Sequence, residues 1–118
     1  MSSPQYDWHK IADVKEEISF ASNGIAVVEA AGKKFCVSEL EGALYAFAFK
    51  CPHASGFLAE GWLDPLGNLV CPVHRYKYNI KNGRNVTGEG YYLPTYPIEI
   101  RTEGVFVGFK RGGFFNFR

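Results

Sequence analysis

The chain has 118 residues, with thirteen Lys and Arg against twelve Asp and Glu, 47% hydrophobic and 16% aromatic residues, and thirteen glycines. A chain of this length buries roughly two thirds of its unfolded surface, enough for one core and too little for an added substrate domain. A net charge of plus one makes no electrostatic case for nucleic acid, and no apolar run has the length of a membrane span or the form of a secretory leader.

In chain order the sequence reads as short strands throughout. Residues 8–12 and 24–30 come first, with residues 13–16 between them able to form at most one helical turn. Residues 34–40 and 43–49 follow. In the second of these, Tyr45, Phe47 and Phe49 share one face while Leu44, Ala46 and Ala48 share the other. Asp64-Pro65-Leu66-Gly67 fits a type I turn. Asn82-Gly83 signals a two-residue hairpin between residues 76–81 and 84–86. Residues 96–101 and 105–109 close the sheet, and the aromatic ending at residues 112–118 is expected to pack back as an extra strand. No repeat, linker or low-complexity segment interrupts residues 1–118, so one all-β domain is expected, built as a barrel or sandwich.

Two cysteine–histidine pairs carry the chemistry: Cys51-Pro-His53 and Cys71-Pro-Val-His74, with seventeen residues between the inner members. In extended chain, Cys51 and His53 point the same way, about 6.6 Å apart at a rise of ~3.3 Å per residue. That separation suits ligands on two adjacent metal atoms. A single zinc is the competing reading of the same donors, although zinc motifs more often use Cys-x2–4-Cys pairs. Pro52 and Pro72 follow the two cysteines, stiffening each loop and leaving later amides free to donate to sulfur. Cys36 sits alone in an alternating run and reads as a small buried hydrophobe, and His9 reads as a surface or packing residue.

The pattern C-x-H-x17-C-x2-H resembles the Rieske signature, in which two His replace two Cys on one iron of a [2Fe–2S] centre. The likeness extends through the run from Gly61 to Gly83 and covers most of the chain, from Trp8 to Phe109. It implies a Rieske-type β-sandwich or barrel, with a base of about residues 1–49 and 91–118 and a small inserted cluster-binding subdomain at about 50–90. It also implies one [2Fe–2S] cluster, with Cys51 and Cys71 on the inner iron and His53 and His74 on the outer, solvent-facing one. Gly88 to Pro94 resembles the proline-containing loop that covers the cluster, giving Tyr91 to Pro94 a shielding role. Tyr76 divides between strand packing and cluster shielding. Tyr78 stands where high-potential members have a tyrosine that donates to a cysteine sulfur.

Charge says what such a centre does. Two thiolates cancel the two positive charges of an oxidised [2Fe–2S] core and neutral histidines add none, so reduction is easier than with four thiolates. Rieske potentials accordingly span about −150 to +300 mV, against ~−400 mV for plant-type ferredoxins. Respiratory members carry two extra cysteines that bridge the loops, and a serine two residues after the second histidine. Here the matching positions are Gly56, Val73 and Tyr76, which points to the low end of the range.

Once the ligands are assigned, no nucleophile arrangement, no phosphate loop and no second iron site remain, His9 being the one histidine left over. The chain is expected to act as an electron-transfer component and not as a catalyst alone. The resemblance implies a flavin reductase and a terminal ring-hydroxylating oxygenase as partners. The large subunit of an NADH-dependent nitrite reductase is the alternative, and a zinc-stabilised, non-redox binding module is a third reading. With two of three cysteines given to metal, no disulfide is left and a cytoplasmic location is expected. Residues 50–90 hold five basic against three acidic side chains, which would favour an acidic partner face.

Overall fold

A computed structural model describes residues 5–52 and 56–111. Among them ten strands form three antiparallel sheets. The first contains β1 (Tyr6–Ala12), β10 (Gly104–Lys110) and β9 (Ile98–Arg101), in that order. The second runs β2 (Ile25–Ala30), β3 (Lys33–Leu40), β4 (Ala43–Ala48) and β8 (Thr95–Tyr96). The third is smaller, with β5 (Trp62–Leu63), β6 (Asn68–Val70) and β7 (Lys77–Asn79). The expected extra strand at residues 112–118 lies outside the described residues.

The second sheet is covered on both faces, and its period-two alternation assigns each side chain to one of two cores. Phe35 and Val37 of β3, with Leu44 and Ala46 of β4, pack with Val105 and Val107 of the first sheet. Cys36 and Phe47 point the other way, into a second core with Leu58, Leu69, Tyr78, Ile80 and Leu93. Tyr45 and Phe49 pack against that same second core, as the alternation in β4 predicts. Ala48, expected on the face of Leu44 and Ala46, packs against the second core as well, at the end of the strand where its small side chain reaches past the edge. Phe35 and Phe47 are wholly buried, each worth ~1.5–3 kcal/mol relative to exposure. The Phe35 ring also meets Tyr96 and Phe109 edge-on, at 6.0 and 5.6 Å. His9 packs beside Phe109 at 5.4 Å.

Two local features hold the small sheet in place. The Asn23 side-chain amide donates to the carbonyls of Ala59 and Gly61, at 2.7 and 2.9 Å, tying the short 3-10 turn Leu58–Glu60 to the approach to β2. The Gly67 N–H donates to the Asp64 carbonyl at 3.0 Å, closing the expected turn between β5 and β6. Residues 13–16 form little more than the single turn expected, a 3-10 segment at Lys15–Glu17 whose Glu17 carboxylate accepts from the Asp13 N–H.

Two expectations need correction. The hairpin after β7 is not a two-residue turn. The Asn79 N–H donates to the Arg84 carbonyl and the Gly83 N–H to the Asn79 carbonyl, so four residues, 80–83, make the loop. A type I′ turn needs positive φ at both central residues, and only Gly83 has it, at 78°. Gly83 is held by the approach of the Leu93 carbonyl, which a Cβ there would meet at 2.0 Å. The segment 96–101 is likewise not one strand. Pro97 lacks a donor and divides it, so that Tyr96 pairs with Ala46 in the second sheet while Ile98 pairs with Val107 in the first. Among the described residues no helix is long and apolar enough to cross a membrane.

Candidate metal centre

Both cysteines sit at the start of loops built the same way. After β4, the Cys51 N–H donates to the Gly56 carbonyl at 2.8 Å. After β6, the Cys71 N–H donates to the Tyr76 carbonyl, also at 2.8 Å. Each bond joins a cysteine to the residue five places on, so each closes a short loop holding one of the two candidate histidines. His53 lies outside the described residues. His74 is exposed, and it and Arg75 have φ values of 63° and 59°. For residues with a Cβ this left-handed region costs ~1–2 kcal/mol each, which the closing Cys71–Tyr76 bond and the packing of the loop must hold in place.

The two loops touch directly. A Cβ at Gly56 would stand 2.7 Å from a Val73 methyl and 3.3 Å from the Cys71 sulfur. These are the two positions that carry bridging cysteines in respiratory Rieske proteins. Here an apolar contact takes the place of a crosslink.

The sulfurs are held out of water. Cys51 is 4% exposed and Cys71 is fully buried, in one core with Leu58, Leu69, Ile80 and Leu93. Burial pushes the Cys71 thiol up to about 11; the Val73 N–H opposes that shift by bonding to its sulfur, and the neighbouring Cys51 sulfur adds to it. Two adjacent buried thiols that are not a disulfide form thiolates only if a cation neutralises them. A metal group with positive charge meets that need.

Tyr78 is fully buried, and its hydroxyl lies 3.4 Å from the Cys51 sulfur. Burial, and then the Cys51 sulfur, push this phenol well above its usual range, so it keeps its proton. A metal-bound thiolate has no proton to give, and in that state the tyrosine is the donor.

The outer edge is aromatic. The Tyr76 ring lies 6.1 Å from the His74 ring, tilted by 47°, and 6.1 Å from the Tyr91 ring, stacked at 28°. Half-buried Tyr76 stands just before β7, in contact with both rings. Pro94 is exposed, and its carbonyl accepts from the Ala48 N–H at 3.0 Å. The member of that segment that enters the core with the two cysteines is Leu93. Nothing in the sequence distinguished Leu93 from its neighbours, because its place depends on the Gly83 contact across the loop. Cys36, as expected, is a buried hydrophobe, its thiol pushed up to about 12 by burial.

Among the described residues no three His, Cys, Asp or Glu side chains gather around one metal position. Cys51 and Cys71 stand as neighbouring sulfurs, and exposed His74 lies in the loop that the Cys71–Tyr76 bond closes.

Comparison with known proteins agrees with this chemistry. The Rieske [2Fe-2S] domain family matches residues 7–97. The chain belongs to that family, and the group it is built for is one [2Fe–2S] cluster. Over 77 residues it is 27% identical to the ferredoxin component of the naphthalene 1,2-dioxygenase system of Pseudomonas aeruginosa, covering 64% of this chain and 73% of that one. The fold superposes with a TM-score of 0.71 on a chain from a complex of reduced oxygenase and oxidised ferredoxin in carbazole 1,9a-dioxygenase, at 23% identity, covering 86% of this chain and 92% of that one. It superposes at 0.72 on a putative NADH-dependent nitrite reductase small subunit from Mycobacterium tuberculosis, at 17% identity, covering 89% and 96%. The all-β fold is thus shared with both of these solved structures.

Proposed function

We propose that the protein is a Rieske-type ferredoxin of the cytoplasm, carrying single electrons to a terminal oxygenase from a reductase and catalysing nothing alone. The observation that carries this reading is the buried Cys51–Cys71 pair with the Tyr78 hydroxyl on one sulfur and an exposed histidine in the loop that Cys71 opens. In this reading Cys51 and Cys71 bind the inner iron, and His53 and His74 the outer one. Residues 50–90 form the cluster-binding subdomain, seated on a base made by residues 1–49 and 91–118. When bound, the cluster supplies a site that accepts and releases one electron at a time.

The remaining work falls to the chain's own residues. Leu58, Leu69, Ile80 and Leu93 exclude water from the sulfurs. The Val73 N–H and the Tyr78 hydroxyl bond to Cys71 and Cys51 and withdraw negative charge from them. His74 and Tyr91 are exposed at the outer edge, where a partner can approach within transfer distance. Pro94 contributes through its backbone bond to Ala48, bracing the segment that shields the cluster. Family membership favours the two-iron reading over a zinc-stabilised binding module.

The choice of oxygenase over the large subunit of a nitrite reductase rests on the dioxygenase ferredoxin relative. The nitrite reductase reading keeps the fold likeness in its support. Stopped-flow mixing of the reduced protein with an oxidised ring-hydroxylating oxygenase, and separately with a sirohaem nitrite reductase subunit, tests the choice. Rapid one-electron transfer to the oxygenase is the expected result; transfer to the sirohaem subunit alone reverses the assignment.

A further inference from the structure

The edge of the centre carries a second tier that ligand assignment leaves unused. The His74 ring meets Tyr76 at 6.1 Å, tilted by 47°, and Tyr76 meets Tyr91 at the same distance, tilted by 28°. Rings interact at centroid separations of about 4.5–7 Å. Tyr91, although exposed, does not stand on a slack segment.

Asn85 organises the chain leading to it. Its side-chain amide donates to the Lys77 carbonyl at 3.1 Å, to the Thr87 hydroxyl at 3.1 Å and to the Glu89 carboxylate at 3.0 Å. Its carbonyl oxygen accepts from the N–H groups of Glu89 and Gly90, at 2.6 and 3.2 Å. On the other flank Tyr92 bridges Arg84, and the Leu93 N–H donates to the Gly83 carbonyl at 2.8 Å. The backbone on both sides of Tyr91 is thereby tied to the β7 hairpin, within a few residues of the second ligand loop.

We propose that Tyr76 and Tyr91 act as one positioning unit that sets the rotation of the His74 imidazole, with Asn85 fixing the platform on which Tyr91 stands. The proposal rests on His74 being an iron ligand, as argued above. Solvent does not set the rotation of an exposed side chain on a turn; the groups that touch it do. Metal–nitrogen coupling depends on ring orientation, which groups around the ligand must set. A tyrosine ring beside the imidazole, stacked in turn with a second ring, limits the orientations the imidazole can take. Neither tyrosine needs to touch iron. A phenyl ring at residue 76 would serve as well as a phenol, because the contact with His74 is between the rings, tilted by 47°.

The test uses the iron-loaded protein and the variants Tyr76→Phe, Tyr76→Leu, Tyr91→Leu, the double leucine variant and Asn85→Ala. Two quantities are read: the histidine nitrogen hyperfine couplings in pulsed electron resonance of the reduced form, and the rate of labile-sulfide release from the oxidised form. Tyr76→Phe is expected to match wild type. Tyr76→Leu and Tyr91→Leu are expected to alter one of two nitrogen couplings and speed sulfide release roughly two- to tenfold. The double variant is expected to be little worse than Tyr76→Leu, since the residues act as a unit. Asn85→Ala is expected to alter the same coupling as Tyr91→Leu, and it carries the test if the leucine variants fail to hold iron. Unchanged couplings and release rates in Tyr76→Leu, Tyr91→Leu and Asn85→Ala overturn the proposal, as does a Tyr76→Phe protein that behaves like Tyr76→Leu. A wild-type spectrum with no nitrogen coupling removes the ligand assignment and this proposal together, an outcome no variant can mimic.

Discussion

The hydroxyl of Tyr78 lies 3.4 Å from the sulfur of Cys51, with both side chains in one dry core. A hydrogen bond to a ligand sulfur draws negative charge from it and favours the reduced state, which carries one more electron. A net bond of about 0.5–1.5 kcal/mol is worth roughly 20–65 mV for a one-electron couple. Tyr78→Phe is therefore expected to lower the midpoint by that amount in protein-film voltammetry. An unchanged midpoint would remove Tyr78 from the control of potential.

Gly56 and Val73 join the two ligand loops without a crosslink, and there is no room between them. A methyl group at residue 56 would come within 2.7 Å of a Val73 methyl. Gly56→Ala is expected to destabilise the protein by about 1–3 kcal/mol through overpacking, and to lower the iron content of purified protein. Adding Val73→Ala removes the clashing methyl and should restore part of both. Chemical denaturation and iron analysis of the single and double variants check this; a Gly56→Ala protein as stable as wild type would contradict the contact.

Cys36 shares the core with Cys51 and Cys71 yet packs as a hydrophobe. Cys36→Ala is expected to retain full iron and sulfide and to lose on the order of 1 kcal/mol in stability. Loss of the cluster in that variant would instead make Cys36 part of the site.

The same thiol has a pH signature. Burial raises it from 9.0 to about 12 in the folded protein. Between those values the unfolded chain has lost a proton that the native state keeps, so stability falls as pH rises, by up to ~1.4 kcal/mol per unit from this group. Denaturation series between about pH 9 and pH 11 should show a slope shallower by nearly one proton in Cys36→Ala. Identical slopes would show that Cys36 ionises with equal ease in both states.

What could be read from the sequence was local. The alternation of β4 assigned Tyr45 and Phe47 to one core and Leu44 and Ala46 to another, as a strand's period of two requires, but it misplaced Ala48 at the strand's end. The Cys-Pro pairs marked the two loops because ligand type and spacing are written in adjacent residues. The division at Pro97 was missed: a missing donor ends a pairing, but which sheet the chain joins next depends on partners far along the sequence. The Asn82-Gly83 signal found the hairpin and not its loop length, since the Leu93 carbonyl fixes Gly83 from outside the hairpin. The Gly56–Val73 contact and the entry of Leu93 into the core are likewise meetings of distant segments. His53, equal to His74 in the motif, lies outside the described residues.

The central claim is that two irons are held by the sulfurs of Cys51 and Cys71 and by the nitrogens of His53 and His74. Pulsed electron resonance of the dithionite-reduced protein, prepared with nitrogen-15 histidine, tests it most directly. The account predicts two distinct histidine nitrogens coupled to one iron, each lost singly in His53→Ala or His74→Ala, with two irons and two labile sulfides per chain. A colourless protein holding one divalent ion, or a reduced spectrum that nitrogen-15 leaves unchanged, would contradict it.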